Sequence, residues 1–127
     1  SGKHLDWSGK TKYSSYITTA TKKWNAYKKG IIRKDTVSTM KDVTISDYYD
    51  DKDTLWGETS KNGTIRFNIY NMDKDDDAGR LNTVMHEFGH ALGLGHNERK
   101  DVMSKFSDVT ELTENDKKSY DAAYKKY

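Results

Sequence analysis

Residues 86–96 read HEFGHALGLGH, and the rest of the chain can be placed relative to this stretch. His86 and His90 are four residues apart, so on a helix they project from one face and lie one turn apart. Two imidazoles in that relation can bind one tetrahedral zinc ion at about 2 Å. Glu87 lies about 100° around the helix axis from His86, outside the ligand positions but within reach of a water at the ion. The spacing therefore predicts a helix that carries a metal site.

The second half of this motif predicts a turn that brings the chain back to the same site. Gly93 follows His90 by three residues, and glycine can end a helix in the left-handed conformation without steric cost. His96 can then serve as a third ligand. Three protein ligands leave the fourth position for water, which is typical of a catalytic zinc site and not of a closed structural one. The alternative is an amphipathic helix whose histidines share one face by chance, and the full motif disfavours it.

Length and composition indicate one small, strongly polar domain. The chain has 127 residues, 33% hydrophobic and 33% charged, so we expect a single domain over residues 1–127. Lys and Arg number 22 against 20 Asp and Glu, and no arginine-rich stripe indicates nucleic-acid binding. No apolar run approaches the roughly 20 residues of a membrane span, and there is no cysteine to act as nucleophile or metal ligand. We expect a monomer with no nucleic-acid partner and no membrane span.

Hydrophobic periodicity predicts both strands and helices. The predicted elements are an extended segment over residues 1–10, a helix over 11–29, one or two strands within 31–47, a short strand over 55–59, a strand over 64–70, and helices over 79–92 and 110–127. Asn62-Gly63 is a hairpin signal between the strands on either side of it. Thr110 or Thr113 is expected to cap the closing helix.

An acidic run, DKDDD at residues 73–77, precedes the predicted central helix. Acidic residues are favoured at a helix start because they complement the helix dipole. Oxygen-rich loops can also bind calcium, although this spacing matches no twelve-residue calcium loop. We expect a helix entry or a solvated loop, and a calcium site is the alternative. His4, the one histidine outside the motif, is expected to be an exposed terminal residue.

With these residues in place, the sequence resembles the metzincin clan of zinc endopeptidases. The clan's signature is His-Glu-x-x-His-x-x-Gly-x-x-His followed by a Met-turn, and here Met103 follows His96 by seven residues. The tight motif and the LTEND stretch at residues 112–116 are most similar to the matrixin branch. The specific match covers about residues 80–127.

The resemblance implies roles for individual residues. The zinc ligands would be His86, His90 and His96. Glu87 would be the general base, and Met103 would lie in a tight turn beneath the ion as a hydrophobic floor and not as a ligand.

The resemblance also implies a fold and a setting. The fold would be α+β (α/β-like): a twisted, mostly parallel mixed sheet with one antiparallel edge strand, two long helices and a C-terminal helix. The strand over residues 64–70 would form the cleft edge and receive an extended peptide or protein substrate by strand addition. Proteases of this clan are generally exported, so we expect a secreted, extracellular enzyme.

The chain departs from the family pattern at several positions. Matrixins usually carry a second, structural zinc, which this chain cannot build with only His4 to spare. No cysteine is present for a latency switch. Lys105 stands where some other metzincin branches carry a tyrosine beside the zinc. Asn82, one helical turn before His86, should face the primed-side pocket and make it less apolar.

Hydrolysis is also expected from the residues themselves. A zinc-bound water has a pKa lowered towards about 7, and Glu87 can take its proton and pass it to the leaving amine. We therefore predict an endopeptidase acting on extended polypeptides. One alternative is a zinc-stabilised binding module that does not cleave, against which the intact Glu87 argues. The other is a peptidase restricted to chain ends or to cell-wall peptides.

Overall fold

The computed structural model describes residues 4–34, 42–97, 100–105 and 107–126. Their elements are β1 (Leu5–Gly9), α1 (Ser14–Tyr27), β2 (Ile32–Lys34), β3 (Val43–Tyr48), β4 (Gly57–Ser60), β5 (Thr64–Asn68), α2 (Ile69–Met72), α3 (Asp77–Ala91) and α4 (Glu114–Tyr124). Three parts of the predicted elements, residues 1–3, residues 35–41 and Tyr127, lie outside the described residues.

The five strands form one mixed sheet in the order β2-β1-β3-β5-β4. Neighbouring strands run parallel, except that β4 and β5 are antiparallel with Ser60 opposite Thr64. The Asn62-Gly63 signal therefore marks a real hairpin. The predicted α+β fold, a mostly parallel sheet with one antiparallel edge strand, is confirmed. The extended segment predicted over residues 1–10 contains β1, an inner strand between β2 and β3.

Two predictions about the hairpin were wrong. The strand predicted over residues 64–70 ends at Asn68, because the Asn68 side chain accepts a hydrogen bond from Tyr70 N and starts the short helix α2. That strand is also not the edge of the sheet, since β5 is paired with β3 on one side and with β4 on the other. The edge strand is β4, which begins at Gly57 and follows the exposed Leu55 and Trp56.

The two long helices and the C-terminal helix pack together through aromatic side chains. The Trp24 indole of α1 donates a hydrogen bond to the Met85 carbonyl of α3 over 3.0 Å. Tyr120 of α4 meets Trp24 edge to face, with ring centroids 5.4 Å apart. Thr113 caps α4 by accepting a hydrogen bond from Asp116 N, which confirms one of the two predicted caps. Within the described part of the chain, no helix is long and apolar enough to cross a membrane.

Candidate metal centre

Helix α3 carries three of the predicted site residues, His86, Glu87 and His90. The acidic run at residues 73–77 determines where this helix begins. The Asp76 carboxylate accepts a hydrogen bond from Gly79 N over 2.8 Å, and Asp77 lies in the first turn. Asp73 accepts hydrogen bonds from Lys12 and Tyr13 of the neighbouring segment. The helix-entry interpretation is therefore confirmed for Asp76 and Asp77, and calcium binding stays a prediction.

The end of α3 turns the chain back towards the site. Gly93 has φ +98°, a left-handed conformation that glycine adopts at little cost. Its N–H donates to the His90 carbonyl, and Leu94 N donates to the Gly89 carbonyl, both over 2.9 Å. These two bonds form a Schellman ending, as the motif predicts. The turn brings His96 back to the helix face that carries His90.

The three histidines of the motif converge on one point. Nε2 of His90 lies 3.0 Å from Nε2 of His86 and 3.2 Å from Nε2 of His96. Nitrogens that bind a tetrahedral zinc ion at about 2.0–2.1 Å are separated by about 3.3 Å, so the spacing fits that ion. Among the described residues, this is the one group of three or more His, Cys, Asp or Glu side chains placed to hold a metal ion. His4 lies at the surface, as predicted.

The hydrogen bonds of the two Nδ1 atoms show which tautomer His86 and His90 adopt. His86 Nδ1 lies 2.8 Å from the Val102 carbonyl, and His90 Nδ1 lies 2.9 Å from the Leu94 carbonyl. A carbonyl oxygen only accepts, so each Nδ1 carries the proton and leaves an Nε2 lone pair free for a metal. Burial lowers the pKa of His86 to about 4, and desolvation also lowers the pKa of His96. These two imidazoles are therefore neutral at pH 7, as metal binding requires.

Glu87 lies beside the three histidines with its side chain under strand β4. It is 7% exposed, and burial raises its pKa to about 7. The Thr59 hydroxyl donates to its carboxylate over 2.8 Å. A carboxyl group with such a pKa exchanges its proton readily near neutral pH. Its contact with Thr59 was not predicted, because the two residues are 28 positions apart and no local pattern joins them.

Met103 lies in a tight turn packed against α3. The turn is closed by Ser104 N, which donates to the Asp101 carbonyl, and Met103 is fully buried. Gly89 lies between His86 and His90 in the sequence, and a Cβ built on it would meet the Met103 sulfur at 2.2 Å. Glycine at this position lets the turn approach the helix closely. The floor position expected for Met103 fits this packing.

The family model of the matrixins matches residues 28–125. The chain belongs to the matrixin family. Comparison with individually curated proteins gave no match. Matrixins are zinc-dependent endopeptidases, so membership implies a metallopeptidase with a zinc cofactor. The matched range also includes strands β2 to β5, which lie before the residues that carry the sequence resemblance.

The Met-turn of this matrixin is held by a residue that sequence reasoning missed. Asp116 of α4 is fully buried, and its carboxylate accepts hydrogen bonds from Val102 N at 2.9 Å and Met103 N at 3.0 Å. It also accepts from Thr113 N and from the Asn97 amide. Asn97 follows His96 directly, and its own N–H donates to the Met103 carbonyl. Asp116 thus ties α4, the Met-turn and the third histidine together.

A cavity of about 840 Å³ opens beside the histidines. Asn82 and Lys105 both line it, and Asn82 is placed as predicted along the cavity wall. The Asn82 amide, however, donates to Ser107 Oγ over 3.1 Å and to the Val109 carbonyl over 2.7 Å. It therefore braces the loop that closes this side of the cavity as well as lining it.

Proposed function

We propose that this matrixin hydrolyses internal peptide bonds of extended polypeptides, with Glu87 as the general base. We assign the binding of one zinc ion to His86, His90 and His96. The observation that carries the proposal is the convergence of three histidines beside a buried carboxyl group, with the Nε2 atoms of His86 and His96 within 3.2 Å of that of His90. When bound, zinc supplies a Lewis acid that polarises the scissile carbonyl and activates water.

Glu87 performs the proton transfers in this proposal. As a carboxylate it takes a proton from the attacking water, and as an acid it passes that proton to the leaving nitrogen. Burial raises the pKa of this carboxyl group to about 7, well above the usual range for a glutamate. The low exposure of Glu87 itself limits competing hydrogen bonds between its carboxyl group and bulk water.

Strand β4 is the element proposed to bind the substrate backbone. Of the strands in the described part of the chain it pairs with β5 alone, and it borders the cleft. An extended peptide can add to such an edge as a further strand. Leu55 and Trp56, which precede β4, are 47% and 40% exposed at the cleft rim and offer apolar surface to a substrate side chain.

Two separate cavities lie along β4 and both reach His90, which supports internal cleavage. Gly57 and Glu58 line the cavity of about 840 Å³. Thr59 and Ser60 line a second cavity of about 470 Å³, and His90 borders both. A peptidase restricted to chain ends needs space on one side only. The presence of space at two places along β4 favours an endopeptidase over that alternative.

Casein digestion by wild type and by Glu87→Ala, both zinc-loaded, tests the proposal. We expect wild type to cleave casein and the variant to bind one zinc per chain while losing at least about 10²-fold in rate. Peptides with blocked ends should be cleaved as well as free-ended ones. If neither protein cleaves while both hold zinc, the endopeptidase proposal fails and a binding role replaces it.

The extracellular location is a separate part of the proposal. It is supported by the general export of this clan. Fractionating cells that produce the protein at its natural level tests it. We expect the enzyme in the culture medium, and its retention inside the cells would contradict this part alone.

A further inference from the structure

One face of strand β4 lies directly against the Glu87 side chain. The Thr59 hydroxyl oxygen is 2.8 Å from the carboxylate Oε1 of Glu87 and 3.0 Å from the backbone carbonyl of the same residue. Gly57, two positions earlier on the same face of the strand, lies so close that a Cβ there would be 3.3 Å from Glu87 Cγ. The strand thus bonds to the Glu87 carboxylate through Thr59 and leaves little room beside its Cγ atom at Gly57.

This contact fixes the conformation of Glu87. A free glutamate side chain samples many rotamers, and ordering it carries an entropic cost. The single Thr59 hydroxyl proton lies between two acceptors of the same residue, with the carboxylate the nearer, so this bond restricts where the carboxylate can lie relative to its own backbone. Among the described residues, Thr59 supplies the hydrogen bond that this buried carboxylate receives. A buried carboxylate without such a donor would be strongly disfavoured.

We propose that Thr59 is a positioning residue that holds the Glu87 carboxylate in its catalytic orientation. This inference rests on the proposed role of Glu87 as the general base. A base contributes fully only when its oxygen lies within hydrogen-bond reach of the proton that it abstracts. Strand β4, which is proposed to bind the substrate, therefore also orients the base.

Three variants test this role. Thr59→Val removes the hydroxyl with little change in shape, and Thr59→Ser keeps the hydroxyl. Thr44→Val makes the same change on β3, two strands away from β4, as the matched control. We expect Thr59→Val to lower kcat about ten-fold, part of the roughly 10²–10⁴-fold that a general base supplies, with KM within about two-fold of wild type. Thr59→Ser should restore most of kcat, and Thr44→Val should not change it.

A double-mutant cycle in thermal unfolding tests the contact without turnover. Thr59→Val should lower the Tm of the zinc-loaded wild type by about 3–4 °C more than it lowers the Tm of zinc-loaded Glu87→Ala. Because this result needs no cleavage, failure of the peptidase proposal and failure of the Thr59 proposal can be told apart.

Four results would overturn the role of Thr59. They are an unchanged kcat in Thr59→Val, a loss of kcat matched by a loss of bound zinc, a Thr59→Ser variant as slow as Thr59→Val, and equal Tm losses in the two backgrounds. Zinc content is therefore measured for every variant alongside its kinetics.

Discussion

The candidate metal centre consists of two halves that are held in different ways. His86 and His90 lie on helix α3, one turn apart, and His86 is buried. His96 lies outside any helix or strand and is exposed. The first half is placed by helix geometry, and its two rings are oriented by the Val102 and Leu94 carbonyls. The second is positioned by long-range hydrogen bonds that run through Asn97 and the Met-turn to Asp116.

The difference shows where the centre is vulnerable. A helix places its side chains by a period of about 3.6 residues, so the spacing of its two ligands survives most distant changes. The loop half has no such period, and its geometry depends on one buried carboxylate in another helix. We therefore expect changes at Asp116 to separate the third ligand from the other two, although Asp116 belongs to neither half.

Asp116→Ala should have the largest effect. It leaves the N–H groups of Val102 and Met103 without their acceptor, and each unsatisfied buried group costs about 1–3 kcal/mol. We expect the free energy of unfolding to fall by roughly 3 kcal/mol or more and zinc affinity to fall by about 10–100-fold. Urea unfolding and competition with a chelator measure these quantities.

Asp121→Ala is the matched control for that prediction. It removes an aspartate from the same helix, where the carboxylate binds Tyr27 and Lys28 at the surface. Zinc affinity should stay at the wild-type value. An Asp116→Ala protein that binds zinc as tightly as this control would show that the loop half does not depend on Asp116.

Gly89→Ala tests the close packing of the Met-turn against helix α3 and should have the next largest effect on stability. Alanine is the better helix former by about 1 kcal/mol, but its Cβ would overlap the Met103 sulfur at 2.2 Å. Overpacking of this kind costs about 1–3 kcal/mol, so we expect a net loss of stability and weaker zinc binding. In the Met103→Ala background the same change should cost less, because the overlap with the sulfur is gone and only the tight contact with the Trp24 ring at 3.1 Å remains. Equal costs in the two backgrounds, measured by urea unfolding, would contradict the close approach.

The helix half of the centre could be predicted from the sequence, and the loop half only in part. The spacing of His86 and His90 predicts a shared helix face, and α3 was predicted within two residues at each end. Gly93 predicts the return of the chain. Nothing local identifies Asp116 as the support of His96, because its partners come from three separate stretches of the chain.

The pairing of the strands likewise could be predicted only in part from the sequence. Alternation and the Asn-Gly signal predict that β4 and β5 form a hairpin, but not which of the two strands pairs with β3. The prediction that residues 64–70 form the cleft edge was wrong for that reason. Thr59 was likewise not found, since its role appears only when β4 is placed against α3.

Gly93→Ala should weaken the loop half alone. An alanine forced into the left-handed conformation costs about 1–2 kcal/mol, and relief of that strain would move His96. Gly30→Ala is the matched control, because Gly30 also has a positive φ, of +72°, and a Cβ there meets nothing within 4 Å. Both variants should unfold at lower urea concentration, but only Gly93→Ala should lose zinc affinity. A parallel loss in both would place the effect in general stability and not in the loop.

A change in the ion pair between Asp6 of β1 and Arg33 of β2, strands that contribute no metal ligand, should have the smallest effect on stability. Asp6 of β1 accepts hydrogen bonds from Arg33 Nε at 2.7 Å and Nη2 at 3.0 Å, and the bond to Arg33 lowers its pKa below the usual range. Because the folded pKa is the lower one, this pair stabilises the fold fully above about pH 5, and its contribution disappears as the pH falls through that depressed value. The Arg33 side chain is 42% exposed, so solvent screening limits the contribution to under about 1 kcal/mol.

Arg33→Lys, which keeps a positive charge beside the buried Asp6 carboxylate, should therefore differ little from wild type in urea unfolding at pH 7, and the difference should shrink as the pH is lowered from 5 towards 3. Its zinc affinity at pH 7 should equal that of wild type, because β1 and β2 contribute no ligand. A difference in unfolding that stays constant over this pH range would mean that Arg33 acts through packing and not through the charge of Asp6. A loss of zinc affinity would mean that β1 and β2 are coupled to the metal centre. The geometry of the centre would then depend on more of the fold than helix α3 and the loop half.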